Sequence, residues 1–132
     1  MKAKIGFIEP MLSLAVAKLP EGAAWSFELK FDGYRAIGLK VGGQVHLLSR
    51  NGKDFNKRFA SIAHSLESLP DVTVIYGEVI AYDVDGRLSF NILQNHTGAG
   101  SELRLYTFDL PSLRGRDLTQ EPLEERREIS AR

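Results

Sequence analysis

The sequence predicts an α+β fold, mostly antiparallel sheet with a few helices. Three observations carry that prediction. Apolar and polar residues alternate over residues 25–31 and 37–41, and β-rich runs follow over 45–49, 72–82 and 103–110; a period of two marks a strand with one buried face. Turn-forming pairs separate the runs, namely Asp32-Gly33, Gly42-Gly43, Asn51-Gly52 and Asp85-Gly86, which are the pairs that reverse a chain tightly. The stretch 55–69 instead shows helical spacing. Strands that follow strands across short turns, with occasional helices, belong to the α+β class.

In chain order, the apolar run Met11 to Leu19, closed by Pro20, reads as a short helix. Trp25, Phe27, Leu29 and Phe31 alternate with Ser26, Glu28, Lys30 and Asp32, giving a strand with one apolar and one charged face. Ile37, Leu39 and Val41 continue beyond the first turn, and Val45 to Ser49 beyond the second. Three sequential antiparallel strands are therefore expected. Phe59, Ile62, Ala63, Leu66 and Leu69 share one helical face, so residues 55–69 read as an amphipathic helix that Pro70 ends. Val72 to Tyr82 is a long β-rich run. Ser89 is placed to cap a short helix over Phe90–Gln94. Asn95 to Ser101 is a polar, glycine-rich loop, and Leu103 to Leu110 is a last strand. Pro122 suits the first turn of a final helix.

At 132 residues the chain has the size of one domain and can bury a core without staples. It contains no Cys, which excludes disulfides, thiolate catalysis, zinc fingers and iron–sulfur clusters. No apolar run approaches the ~20 residues of a membrane span, and the N-terminus shows no signal peptide; a cytoplasmic protein without a membrane partner is expected. Seventeen basic residues balance seventeen acidic ones, which argues against a wholly basic nucleic-acid coat protein. The charge is nevertheless segregated. Arg50, Lys53, Lys57 and Arg58 face one acid, Asp54, whereas Glu121, Glu124, Glu125 and Glu128 outnumber Arg126 and Arg127. The basic cluster reads either as solvated surface or as a nucleic-acid contact.

Two features ask for a chemical explanation. Glu28, Lys30 and Asp32 share a strand face, and the turn after them brings Arg35 close. This is either an exposed charged face or a lysine held in a charged pocket, where it can act as a nucleophile. Glu78 sits inside the apolar run Val74 to Tyr82. A carboxylate in such a strand needs a partner or a cleft: either it lies on an edge facing water, or it meets a ligand hydroxyl or a metal. His46, His64 and His96 have no metal-ligand spacing and read as structural or surface residues. Asp83-Val84-Asp85-Gly86 is too ligand-poor for a calcium loop. Gly98-Ala99-Gly100 is no dinucleotide fingerprint, and no Walker-A pattern is present.

At this point a family resemblance appears. Lys30-Phe31-Asp32-Gly33-Tyr34-Arg35 resembles the lysine motif (K-x-D-G-x-R) of covalent nucleotidyltransferases, the superfamily of ATP-dependent DNA ligases, RNA ligases and capping enzymes. Ser49-Arg50-Asn51-Gly52-Lys53-Asp54 is similar to the second ligase motif. Tyr76-Gly77-Glu78-Val79-Ile80-Ala81 resembles the third, where Asp more often stands at the Tyr76 position. Ser89 to Gln94 resembles the S-F-x-x-L-Q segment, Tyr106 to Leu110 the aromatic motif, and Pro122 to Arg127 a ligase-like ending. Together with Phe7-Ile8-Glu9-Pro10-Met11-Leu12 at the front, these motifs stand in family order over nearly the whole chain. The pattern looks most like the ligase domain of bacterial end-joining DNA ligases.

The resemblance implies the N-terminal part of a DNA ligase adenylation domain, an ATP-grasp-like nucleotidyltransferase fold. It implies ATP and Mg²⁺ as cofactors, and nicked or broken double-stranded DNA as partner in repair and recombination. By the same resemblance Lys30 attacks the α-phosphate of ATP and forms lysyl-AMP. Glu28 contacts the adenine. Arg35 and Arg50 reach the ribose, the phosphates or the 5′-phosphate of the nick. Glu78 holds a ribose hydroxyl or helps place Mg²⁺, and Phe108 stacks on the adenine. Arg50, Lys53, Lys57 and Arg58 would contact DNA. The family's later Glu-Gly-x-Val-x-Lys and Lys-x-Lys motifs and its OB-fold are not in this sequence. Residues 1–132 are thus expected to be a partial adenylation domain without an OB-fold domain. The alternatives are a catalytically incomplete remnant that binds ATP or nicked DNA, and a structural domain that has lost the chemistry. A complementing ligase segment or a second copy of the chain is left open as a partner.

Overall fold

A computed structural model of the protein describes residues 7–11, 15–25, 33–95 and 102–130. Five antiparallel strands form one sheet in the order β2-β1-β3-β4-β5. They are β1 (Tyr34–Val41), β2 (Gln44–Ser49), β3 (Thr73–Tyr82), β4 (Glu102–Leu113) and β5 (Arg116–Asp117). The helices are α1 (Ala60–Ser65), followed directly by a 3-10 turn (Leu66–Ser68), then α2 (Phe90–Gln94) and α3 (Leu123–Ser130). The α+β class expected from the sequence is the one observed.

Strand alternation divides the core into two sides. On one, Ala36, Leu47, Ile75, Val79 and Ala81 of the sheet pack against Phe59 and Ile62 around α1 and Leu93 of α2. Phe59 is completely buried, and burying a side chain of that size contributes about 1.5–3 kcal/mol. On the other side, Ile37, Leu39, Val74 and Tyr76 form a smaller cluster, joined by Ile8 and Phe108.

Several local expectations are met. The β1–β2 hairpin closes at Gly42 and Gly43, both at positive φ, and Gly52 and Gly86 take the same region in the two later turns. The Ser89 hydroxyl accepts from the Ile92 amide at 3.3 Å and caps α2. Pro122 immediately precedes α3, and its carbonyl accepts from the Arg126 amide.

Others need correction. Among the described residues of the 11–19 run, none is helical; Met11, Val16 and Leu19 are largely exposed, so the run lacks the apolar partner surface that stabilises a short helix. The helix expected over 55–69 starts only at Ala60, because residues 54–56 serve the sheet edge instead. Asp54 bridges Leu48, the Phe55 amide donates to the Leu47 carbonyl, and the Asn56 side chain both accepts from the Leu47 amide (2.6 Å) and donates to the Val45 carbonyl (2.9 Å). A side-chain amide thereby stands in for a neighbouring strand and satisfies an otherwise open edge. The short strand β5 was not foreseen. Of the strand expected over 25–31 only Trp25 is described, and it is exposed and outside any strand; the remainder of that strand and most of the 95–101 loop lie outside the described residues.

Two irregularities in β4 shape the side of the sheet opposite the helices. Tyr76 pairs with Asp109 and Gly77 with Thr107, so Phe108 is an extra residue in the ladder. A second shift lies between the Val74 and Tyr76 pairings. Such bulges redirect side chains. Here Phe108 reaches the Tyr76 cluster while Leu110 returns to the helix-side core.

Candidate active site

β3 is a central strand, flanked by β1 and β4. Glu78 is therefore not an edge residue facing water. It pairs in register with Arg35 on β1 and with Tyr106 on β4. Its carboxylate lies 3.6 Å from Arg35 Nε, with side-chain exposures of 19% for Glu78 and 35% for Arg35. That separation makes an ion pair but is too long for a hydrogen bond. Arg35 Nε is buried and has no hydrogen-bond partner among the described residues. The Arg35 guanidinium also lies over the Phe108 ring, 4.9 Å from its centroid, which places a cation on an aromatic face. One sheet face thus brings together a carboxylate, an under-satisfied guanidinium and an aromatic ring.

Glycines let the backbones close around this point. A Cβ at Gly77, between Tyr76 and Glu78, would stand 2.6 Å from the Tyr106 carbonyl oxygen and 2.9 Å from Leu105 Cδ1. One at Gly33 would stand 2.1 Å from the Val79 carbonyl oxygen. At each position the nearest obstacle is a strand carbonyl oxygen, which cannot yield as a side-chain tip does, so glycine is required at each. Gly33 is the described residue nearest in sequence to Lys30. Lys30 and Glu28 themselves lie outside the described residues.

The neighbouring groups complete the electrostatics. Asp109 is held by Arg126 of α3, with Nε to Oδ1 at 2.8 Å and Nη2 to Oδ2 at 3.3 Å. This half-buried bidentate pair ties α3 to the bulge that presents Phe108. The Tyr76 hydroxyl is pushed up from 10.0 to about 12, first by burial, then by the negative charge of Asp109, against a lowering effect of Arg35. Among the described residues no group of three His, Cys, Asp or Glu side chains is arranged to hold a metal ion. His64 is exposed beside Glu67, and His46 lies on β2.

The basic stretch divides into two kinds of residue. Arg50, Lys53 and Lys57 are exposed. Arg50 and Lys53 lie in a turn held by Ser49: its hydroxyl accepts from the amides of Asn51 (3.2 Å) and Lys53 (3.0 Å), while its carbonyl accepts from Gly52 (2.9 Å). Arg58 instead stacks on Tyr34 and Phe59, at 4.9 and 5.2 Å, and donates to the Leu93 and Gln94 carbonyls. It neutralises the carbonyl end of α2 and is engaged within the protein.

Sequence reasoning found Arg35, Glu78 and Phe108, and the structure brings those three together. It missed Asp109, Arg126 and Asn56 as organising residues. The period-two spacing of Tyr76 and Glu78 was a usable signal for placing Tyr76 on the same face. A cavity of about 380 Å³ lies on the helix side instead, between α1 and β4, lined in part by Ser61, Ser65, Leu103, Leu105 and Thr107.

Comparison with known proteins places these features in context. A family model described as "ATP dependent DNA ligase domain" matches residues 10–130. The chain is 39% identical, over 92% of its length, to 15% of the multifunctional non-homologous end joining protein LigD of Pseudomonas aeruginosa. It is 36% identical, over 94% of its length, to 40% of DNA ligase C1 of Mycolicibacterium smegmatis. Among solved structures, a mycobacterial DNA ligase D complexed with ATP and MES matches 79% of this chain and 35% of its own, with 32% identity and a TM-score of 0.69. The ligase domain of Mycobacterium tuberculosis LigD gives the same values. The chain therefore spans less than half the length of each of these proteins.

Proposed function

Because this chain belongs to the ATP-dependent DNA ligase domain family, we propose that it forms part of the adenylation core of an end-joining DNA ligase. The observation that carries the reading is the convergence of Arg35, Glu78 and Phe108 on one sheet face, with Arg35 Nε left without a hydrogen-bond partner among the described residues. A nucleotide offers phosphate or ribose oxygens to the guanidinium nitrogen, a hydroxyl to the carboxylate and a flat base to the ring.

In this reading Lys30 Nζ, as the neutral amine, attacks the α-phosphorus of ATP. The bond to the bridging oxygen breaks, pyrophosphate leaves, and the amine loses a proton to give lysyl-AMP. The AMP then passes to the 5′-phosphate of a DNA break, and the 3′-hydroxyl displaces it to seal the strand. Arg35 moves from the Phe108 ring to the phosphates or ribose as the adenine takes its place, and Glu28 contacts the base. Glu78 holds a ribose hydroxyl. One carboxylate with substrate phosphates is a donor set that suits Mg²⁺, so Glu78 together with the triphosphate would hold that ion, which supplies charge neutralisation at the transferring phosphoryl group. Arg50, Lys53 and Lys57 are exposed for the DNA backbone, with salt-sensitive affinity; Arg58 serves by holding α2 beside Tyr34.

Intact mass of the purified chain after incubation with ATP and Mg²⁺ tests the reading, with Lys30→Ala alongside. An AMP adduct on the unaltered protein alone is expected. An adduct retained by Lys30→Ala would move the nucleophile elsewhere. A folded, unadducted protein that still binds ATP would favour the binding-remnant alternative.

A further inference from the structure

Tyr76 stands two residues before Glu78 on β3 and points to the same side of the sheet. Its ring is buried with Ile37, Leu39 and Val74. Its hydroxyl donates to the carbonyl of Ile8 at 2.7 Å, joining residues 68 positions apart. Ile8 packs on the same apolar cluster, and Pro10 is buried. The Phe7 ring runs past the Ser49–Lys53 turn, 3.8 Å from where a Cβ on Gly52 would stand. Residues 7–11 therefore form a strap with three attachments: the turn that carries Arg50, the apolar cluster that contains Phe108, and the Tyr76 hydroxyl.

We propose that Tyr76 is a positioning residue for the nucleotide face, fastening the strap 7–11 so that the Arg50 turn and the Phe108 ring keep a fixed separation. The inference rests on the adenylation reading for the identity of the ligand. The strap's polar tie to Tyr76 is a single hydrogen bond in an otherwise apolar contact, so its loss leaves a part-buried carbonyl without this partner. A phenol suits this place on electrostatic grounds. It donates without charge, whereas a carboxylate could not donate to Ile8 and would compete with Glu78 for Arg35. Burial and Asp109 keep the hydroxyl protonated far above neutrality, so the tie persists wherever the protein works.

Tyr76→Phe removes only the hydroxyl. The experiment compares it with the unaltered chain and with Ile62→Val, a truncation in the helix-side core that lowers stability without touching the strap. Hydrogen exchange reports protection of residues 7–11. Equilibrium binding of an ATP analogue with a non-cleavable α–β bridge reports the nucleotide face. Tyr76→Phe is expected to exchange faster in 7–11 and to bind the analogue about fivefold more weakly, the equivalent of one hydrogen bond. Ile62→Val should bind it normally. Unchanged protection of 7–11 in Tyr76→Phe would overturn the strap. Loosened exchange with unchanged affinity, or an equal affinity loss in Ile62→Val, would reduce Tyr76 to a structural role and overturn the proposal. An unaltered chain that binds no analogue would instead fail the adenylation reading, and with it any positioning role for Tyr76.

Discussion

The two faces of the sheet are drawn from alternate residues of the same strands, yet they are finished differently. Apart from the cavity between α1 and β4, the helix face is closed: Ala36, Leu47, Phe59, Val79 and Leu93 are fully buried, the Ser89 hydroxyl caps α2 and the Asn56 amide satisfies the edge of β2. The opposite face is half finished. It has a small apolar cluster, a long ion pair and a buried guanidinium nitrogen without a hydrogen-bond partner among the described residues. The contrast teaches where to look for function. A closed face reports what folding requires, while the unsatisfied guanidinium nitrogen on the other face reports what a ligand can supply.

The sharpest way to break this contrast is on the closed face. Phe59→Ala should lower stability by about 3–5 kcal/mol, read as a shift in the urea midpoint, because the ring is fully buried and touches Tyr34 and Phe55. A loss below ~1 kcal/mol would show that this face is less closed than the burial implies.

A smaller effect belongs to the open face and to alkaline pH. Folding favours the neutral Tyr76 phenol, since its pKa rises from 10.0 to about 12 on burial near Asp109, despite Arg35. That stabilisation is complete below pH 10 and is lost as pH climbs to 12; a shift of two units corresponds to about 2–3 kcal/mol. Tyr76→Phe has no proton to lose. Its stability should therefore fall less steeply than that of the unaltered chain over this window, and parallel profiles would refute the assignment.

The smallest stability effect is expected at the rim. Lys53→Ala, in the exposed turn, should change stability by less than ~0.5 kcal/mol. If the turn contacts the DNA backbone, the same change should weaken binding to nicked duplex uniformly across sequences and lower the salt slope by roughly one. An unaltered slope would return Lys53 to the solvated surface.

Much of this was legible in the residues themselves. Period-two patterning and turn pairs set β1, β2 and β3, and Ser89 announced α2. Glu78 stood out because a carboxylate in an apolar strand demands a partner. The order of the motifs pointed to the family. Legibility ended where distant segments meet. The 55–69 periodicity could not reveal that residues 54–56 would be taken by the edge of β2. A bulge at Phe108 has no signature in alternation, since the extra residue matters only against its partner strand. Neither could spacing disclose that Arg58 would turn inward onto Tyr34 while Lys53 and Lys57 stayed in solvent.

By itself the sequence determined the class of the fold, the strands β1 to β4, and the residue types available for chemistry, because hydrophobic period and turn chemistry act over a few residues. Tertiary structure decided which of those residues converge. Arg35 meets Glu78 through strand register, Phe108 joins them through a bulge, and Tyr76 reaches Ile8 across 68 residues of chain. Contacts of that range depend on how whole strands pair, and no local pattern encodes the pairing partner.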